Sequence, residues 1–388
     1  MPIAIARPND EAEALAFCRL ACEALLMPTS IAPTWFEREG IDNLRVARVD
    51  GKLAGGIAVQ RVGQWFGGKS VPCGIVRAVA VASEHRGTKV ADTFLRASLV
   101  EQRAGGLPIS MLFPATQIIY RRVGFEQAGA WVDWSAQLSD MPSKDRDLPV
   151  TRVELSDPAI PPLYRAFAAT TAGMIDRNPW LWRRTLEPPI PLELSAYLIG
   201  PAGAPEGYLV VHTEKDPTTK WAALRVRDRA FLTPRAIRRA RSFFAEHRSM
   251  FDSVRICSGV VEPLFVQLGN QLQKTMRRED WMLRILDVSA ALTQRGYAPT
   301  ARAEAHLLVR DDVLAPHEQR LIFRVHDGVA TCEPGGTGAI AIDVRGLAAM
   351  YTGHLASAEV AALGLVEGDA RVLDGLFAGP APWVNEIV

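Results

Sequence analysis

The 388-residue sequence predicts an α/β protein, in the α+β sense of mixed sheets with flanking helices, built from three consecutive segments. The chain is too long for one core, since a domain takes roughly 150 residues. Strand-like runs alternate with helical ones along its whole length. Two Pro- and charge-rich stretches, Ser139–Pro149 and Asp287–Ala298, break that rhythm. The expected domains are therefore 1–138, 139–286 and 287–388.

Composition narrows the function before any motif does. Apolar residues make up 48% and charged residues 22%, an ordinary globular mixture. With 44 Lys+Arg against 43 Asp+Glu, the net charge of +1 supplies no global field for nucleic acid or an anionic membrane, and neither is expected as a partner. No window holds the roughly 18 uninterrupted apolar residues of a membrane span, and MPIAIARPNDEAEA lacks the apolar stretch of a secretion signal. A cytoplasmic location is expected. Five cysteines, an odd number without a CxxC pair, indicate neither a disulfide framework nor a zinc site, and no metal is expected.

In the first segment a short apolar run at 2–6 precedes a helical pattern over Glu11–Leu26, where Leu15, Cys18, Cys22 and Leu25 share a face. Cys18 and Cys22 read as apolar filler on that face. Asn43–Val49 and Leu53–Val62 flank Asp50-Gly51, a hairpin signal. Gly74–Ala82 is almost wholly apolar, as a central strand covered on both faces would be. A helix Lys89–Gly105, a strand Ile109–Phe113, a helical stretch Thr116–Val123 and strand-like residues Phe125–Ala136 complete the segment.

The middle segment repeats this order loosely: strand Val150–Leu155, helix Pro161–Thr171, strands at Leu194–Ile199, Gly207–His212 and Trp221–Val226, helix Pro234–His247, and strands Ser253–Cys257 and Trp281–Ile285. It reads as a worn copy of the first. The last segment has strands His306–Arg310, Gln319–Val325 and Ala339–Asp343, then helices Val344–Tyr351, Ser357–Leu363 and Gly368–Leu376.

Chemistry concentrates in Val76–Arg103, a buried strand, a short basic turn and a long helix. A helix start presents unpaired N–H groups and the positive end of the macrodipole, and Arg86 and Lys89 add charge there, so an anion such as a pyrophosphate would fit. The turn Arg86-Gly87-Thr88-Lys89-Val90-Ala91 resembles the acetyl-CoA turn of the GCN5-related N-acetyltransferase family, Arg/Gln-x-x-Gly-x-Gly/Ala, with Lys89 where the family has glycine. The run Met111–Gly129 (MLFPATQIIYRRVGFEQAG) resembles the tyrosine and Gly-Phe segment of that family's enhanced intracellular survival (Eis) branch. So do RNPWLWRR at 177–184, Glu279–Tyr297, and Ala339–Val366, the last matching the branch's sterol-carrier-protein-like C-terminal domain. The resemblance implies tandem acetyltransferase-like domains, the first catalytic and the second a non-catalytic copy, followed by the carrier-like domain.

It further implies an N-acetyltransferase that uses acetyl-CoA as co-substrate and passes the acetyl group directly to a primary amine. Backbone groups of Val79, Ala80 and Val81 would meet the pantetheine arm, and Arg86, Gly87, Thr88, Lys89, Val90, Ala91 and Asp92 would surround the phosphates. Ala115 and Thr116 stand where the branch has Ser-Glu. Tyr120 would protonate the departing thiolate, as a phenol of pKa about 10 can. The carboxylate of Val388 would act as base, with Glu386 as the alternative base or an amine-binding group. Glu23 and Trp35, within Ala21–Gly40, would help to form the acceptor site. Few carboxylates lie there, which argues against assuming a polycationic aminoglycoside. A homo-oligomer, in the branch often a hexamer, is implied. Two alternatives stand beside this reading: a catalytically weakened protein that binds acyl-CoA or lipid, and a transferase using a longer acyl-CoA.

Overall fold

The computed structural model describes residues 3–142, 144–188, 190, 192–215, 222–270 and 273–387. Its first third holds β1 (Ile3–Ala6), α1 (Glu11–Ala24), α2 (Ala32–Glu39), β2 (Leu44–Val49), β3 (Lys52–Phe66), β4 (Lys69–Val81), α3 (Val90–Ala104), β5 (Ile109–Leu112), α4 (Gln117–Arg121) and β6 (Glu126–Gln137). Local chemistry explains where they start and stop. The Asp10 side chain accepts from the Glu13 amide at 2.8 Å, closing the first turn of α1. Ala14, Phe17, Cys18, Ala21 and Cys22 then form its fully buried stripe. Asp50 and Gly51, at φ of 50° and 79°, make the tight β2–β3 turn.

A second hairpin, β3–β4, turns at Gly67 and Gly68 with φ of 57° and 81°, so β4 begins five residues before the apolar run that announced it. The extension contains Pro72, whose missing N–H is tolerated because β4 there has β3 on one side only; pairing with β5 starts at Cys73. Helix α2 falls within what reads as a loop. Its first turn holds Pro33, and Gly40, at φ 76°, ends it.

The middle third comprises β7 (Val150–Val153), α5 (Ile160–Ala169), β8 (Ile175–Asp176), α6 (Pro179–Leu186), β9 (Ser195–Ile199), β10 (Gly207–Lys215), β11 (Ala222–Phe231), α7 (Pro234–Glu246), β12 (Phe251–Ser258) and β13 (Lys274–Ile285). Helix α6, which begins within RNPWLWRR, is capped by Asn178, whose side chain accepts from the Leu181 amide at 2.9 Å. The last third comprises α8 (Val288–Gln294), β14 (Arg302–Asp311), β15 (Ala315–His326), β16 (Val329–Pro334), β17 (Ile340–Asp343), α9 (Val344–Tyr351), α10 (Ser357–Ala362), β18 (Val366–Glu367) and α11 (Arg371–Phe377). The break at Asp287–Ala298 is largely helix, since the Asp287 carboxylate caps α8 through the Ala290 amide at 2.9 Å.

Two sheets result. The larger runs β1-β2-β3-β4-β5-β13-β6-β12-β11-β10-β9-β7, with β8 added against β3, and the smaller runs β16-β15-β14-β17-β18. In the large sheet the first two thirds of the chain exchange their last strands. β13, from the middle third, lies antiparallel to β5, and β6, from the first third, lies antiparallel to β12. The parallel pairs β4–β5 and β11–β12 occupy matching places on either side of this exchange. One hydrophobic core then runs from Phe66, Val71 and Met111 through Trp281 and Leu283 into Phe323, Leu347 and Leu373 of the last third. The tip of the β3–β4 hairpin docks there: the Gly296 amide donates to the Phe66 carbonyl at 3.0 Å. Among the described residues no helix is long and apolar enough to cross a membrane.

Candidate functional site

The site begins with a defect in β4. Arg77 pairs with Ala58 and Ala80 with Gly56, so Ala78 and Val79 face Ile57 alone in a bulge, and Ala78 takes φ 52°. A non-glycine residue in that region is strained, and such strain persists where surrounding structure enforces it. β4 also pairs with β5 only over Cys73–Ile75 against Ile109–Met111. Beyond Ile75 the two strands part, leaving Val76–Val81 unpaired on that edge. Gly55 lets β3 lie close enough to hold the bulge, because a Cβ there would sit 2.5 Å from the Ala80 carbonyl oxygen.

The open edge leads from Val81 to the turn before α3. Arg86, Gly87, Thr88 and Lys89 are all exposed, Gly87 has φ 76°, and a Cβ at Gly87 would meet no atom within 4 Å. The amides of Gly87, Thr88, Lys89, Ala91 and Asp92 donate to nothing among the described residues. Lys89 is the N-cap residue of α3, and its side chain makes no capping bond. An exposed Lys89 leaves the amides of the turn accessible, so the lysine in the glycine position does not fill it.

At the other end the parted strands open into a cavity of 780 Å³. Val76, Arg77, Ala78, Val79, Phe113, Ala115 and Tyr120 line one side, and Leu25, Met27, Ile31, Trp35, Arg38 and Glu39 of the α1–α2 region another. Trp180, Arg183 and Arg184 of α6, with Arg227 and Ile387, complete much of the wall. Tyr120 is 5% exposed and stands edge-on to Phe125, with ring centres 6.1 Å apart. Burial pushes its phenol up to about 12. Its hydroxyl makes no hydrogen bond among the described residues, although it borders an open cavity.

Trp35 and Tyr120 thus share one cavity. Thr116 is the N-cap residue of α4, and Val79 and Ala115 lie in the wall, whereas Ala80, Val81 and Arg86–Asp92 lie along the open edge and turn. Glu23 is exposed and outside the wall, and the Val388 assignment falls outside the described residues. Glu386 is not in this wall either: it is 9% exposed, ion-paired with Arg177 and lines a separate 210 Å³ pocket. Arg177 also binds Asp228 at 2.7 and 2.9 Å, and its guanidinium lies 3.7 Å from the Tyr164 ring centre. This network pins the tail across the place where β11 parts from β12, with Asn385 bonded to Asp228 at 2.9 Å. In the middle third the notch corresponding to the open edge of β4 is therefore occupied by the chain's own end. The helix after β11 is capped by the Thr233 hydroxyl, which accepts from the Ala236 amide at 3.1 Å, with Pro234 in the first turn.

Sequence reasoning counted Glu39 among the few carboxylates of Ala21–Gly40 but passed over the arginines of the wall. Glu39 is 2% exposed and accepts from Trp35 Nε1 at 2.8 Å and Gln60 Nε2 at 2.9 Å, and it is ion-paired with Arg77. The Arg77 guanidinium lies 4.9 Å from the Trp180 ring centre. A lone arginine inside the apolar run Gly74–Ala82 was the signal available for Arg77.

Comparison with known proteins agrees with this geometry. Models of acetyltransferase (GNAT) domains match residues 6–128 and 173–285, and a sterol carrier protein domain model matches 288–385. An uncharacterized N-acetyltransferase of Streptomyces coelicolor is 26% identical over 354 residues, 82% of this chain and 81% of that one. The crystal structure of a GCN5-related N-acetyltransferase from Anabaena variabilis is 32% identical, with a TM-score of 0.94 over 99% of both chains. The chain belongs to the GCN5-related N-acetyltransferase family. This N-acetyltransferase shares its fold with Eis1 from Mycobacterium abscessus, at 20% identity and a TM-score of 0.81 over 99% of this chain and 100% of that one. The family, the Eis-like tandem arrangement and the carrier-like third domain are those the sequence resemblance implied, and the protein is an acetyltransferase enzyme.

Proposed function

We propose that the protein transfers an acetyl group from acetyl-CoA to a primary amine by direct attack, with Tyr120 as the general acid. The pyrophosphate would lie on the amides of Gly87, Thr88, Lys89, Ala91 and Asp92, and the pantetheine arm would run along the unpaired edge Val76–Val81 as an added strand does. The thioester would then reach the cavity beside Tyr120. Attack forms the C–N bond. Collapse of the tetrahedral intermediate breaks the C–S bond, and the sulfur takes the Tyr120 proton while the nitrogen loses one of its own. A phenol raised to about 12 keeps its proton at neutral pH, as a general acid must.

Glu39, the one carboxylate in the described wall, is committed to Arg77, Trp35 and Gln60. The nitrogen's proton is therefore assigned to water in the cavity.

The observation that carries this reading is a tyrosine hydroxyl without a partner among the described residues, where the parted strands open into the cavity. Following thiol release against a panel of amines tests it. Tyr120→Phe should lower kcat by about 10² to 10⁴ and leave acetyl-CoA binding unchanged. Full turnover in that variant would remove Tyr120 from its assigned role.

A further inference from the structure

The charge of the acceptor cavity is lopsided. Among the described residues, five arginines (Arg38, Arg77, Arg183, Arg184, Arg227) and one glutamate (Glu39) line it. Glu39 is taken by Arg77, and Arg183 pairs with Glu37 and Glu187 at the rim. The remaining three have no carboxylate partner among the described residues. Arg38 donates to the Glu187 carbonyl, and Arg184 to the Ile387 carbonyl at 2.8 Å. Arg227 donates to the carbonyls of Thr185 and Arg184 at 3.0 and 3.2 Å. The Nε atoms of Arg38 and Arg77 are buried without a partner among the described residues.

Half-buried guanidinium groups held only by carbonyls are poorly compensated. Burial, then repulsion from Arg77, lowers the affinity of Arg184 for its proton, and burial does the same for Arg227. An entering oxyanion would be met by forked, charge-assisted hydrogen bonds. An ammonium-rich ligand would meet like charge. The rest of the wall is apolar, with Leu25, Met27, Ile31, Trp35, Phe113 and Trp180.

Resting on the acetyl-transfer reading of this cavity, we propose that its acceptor is an amine with an apolar body and an oxyanion, carboxylate or phosphate, held by Arg38, Arg184 and Arg227, and that polycationic amines are excluded. The same field favours the neutral amine over its ammonium form, because nearby positive charge lowers an amine's pKa. It thereby eases the deprotonation that attack requires.

Binding can be read without turnover, because Trp35 and Trp180 in the wall report occupancy by fluorescence. The probes are 4-phenylbutyrate, 2-phenylethyl phosphate, 4-phenylbutanamide and 4-phenylbutylamine. At least one anion should bind about tenfold or more tighter than the amide, with the amine weakest, and the ratio of the two anions distinguishes carboxylate from phosphate. Arg184→Gln and Arg38→Gln should each weaken the anion about fivefold or more while leaving the amide unchanged, which also shows that the variants are folded. Amide or amine binding as tightly as both anions, or anion affinity indifferent to both substitutions, overturns the proposal. Calorimetric titration of acetyl-CoA is read separately: its failure would defeat the transfer reading and leave the anion site standing.

Discussion

Glu13 shows how one side chain can serve several functions at once. It accepts from the Asn9 amide at 2.6 Å, ahead of the first turn of α1, and is ion-paired with Arg48 of β2, so it ties the helix to the sheet. The Arg48 hydrogen bond holds its carboxyl below the usual range. Stability from a depressed carboxyl is fully present above the unfolded value, near 4.3, and is lost as pH falls through the lower folded value. Glu13→Gln should therefore cost about 1 kcal/mol at pH 7, with the gap to the parent closing below about pH 4. Denaturant titrations at pH 7 and pH 3 would check this, and an equal gap at both would refute it. At this scale the sequence was legible where chemistry is local. Cys18 and Cys22 are fully buried as helix spacing implied, and burial pushes the Cys18 thiol up to about 12. The convergence of Arg38, Arg77, Arg184 and Arg227 was not legible, because they come from α2, β4, α6 and β11 and only folding brings them together.

Among elements, the β3–β4 hairpin carries the tightest constraint. A Cβ at Gly67 would lie 2.1 Å from the Gly296 carbonyl oxygen and one at Gly296 1.9 Å from that of Gly67, so two backbones touch where the first third meets the last. Gly67→Ala combines this clash with a positive φ and should destabilise the protein by about 2 kcal/mol or more, since overpacking alone costs about 1–3. Thermal unfolding would show the drop. An unchanged midpoint would mean that the tip does not seat against Gly296. Elements with strong periodicity or a defined turn were visible in the sequence, α1, α3 and the β2–β3 hairpin among them. Helices α2 and α6, of eight residues each, were not, because so short a pattern is dominated by its prolines and tryptophans. Their cap signals, Gly40 and Asn178-Pro179, were present but were overshadowed by the loop-like composition around them.

For the molecule as a whole, the exchange of β6 and β13 makes the first two thirds one folding object. Without β13, the edge of β5 facing it would be bare, although all four β5 residues are buried. An isolated fragment of residues 1–138 should accordingly aggregate or lack a cooperative melt, because an unpaired hydrophobic strand edge is an aggregation site. Circular dichroism and light scattering would decide, and a monomeric fragment with a sharp transition would contradict the argument. The sequence by itself determined the family, the mixed α/β class and the elements with strong periodicity or a defined turn, since each is written in contiguous residues. Tertiary structure alone decided which strands complete which half, that the tail lies in the middle third's notch, and that the cavity beside Tyr120 is rich in arginine. Those features depend on contacts between residues far apart in the chain, and the physical reason is that the energy of such contacts exists only once the core has brought them within bonding distance.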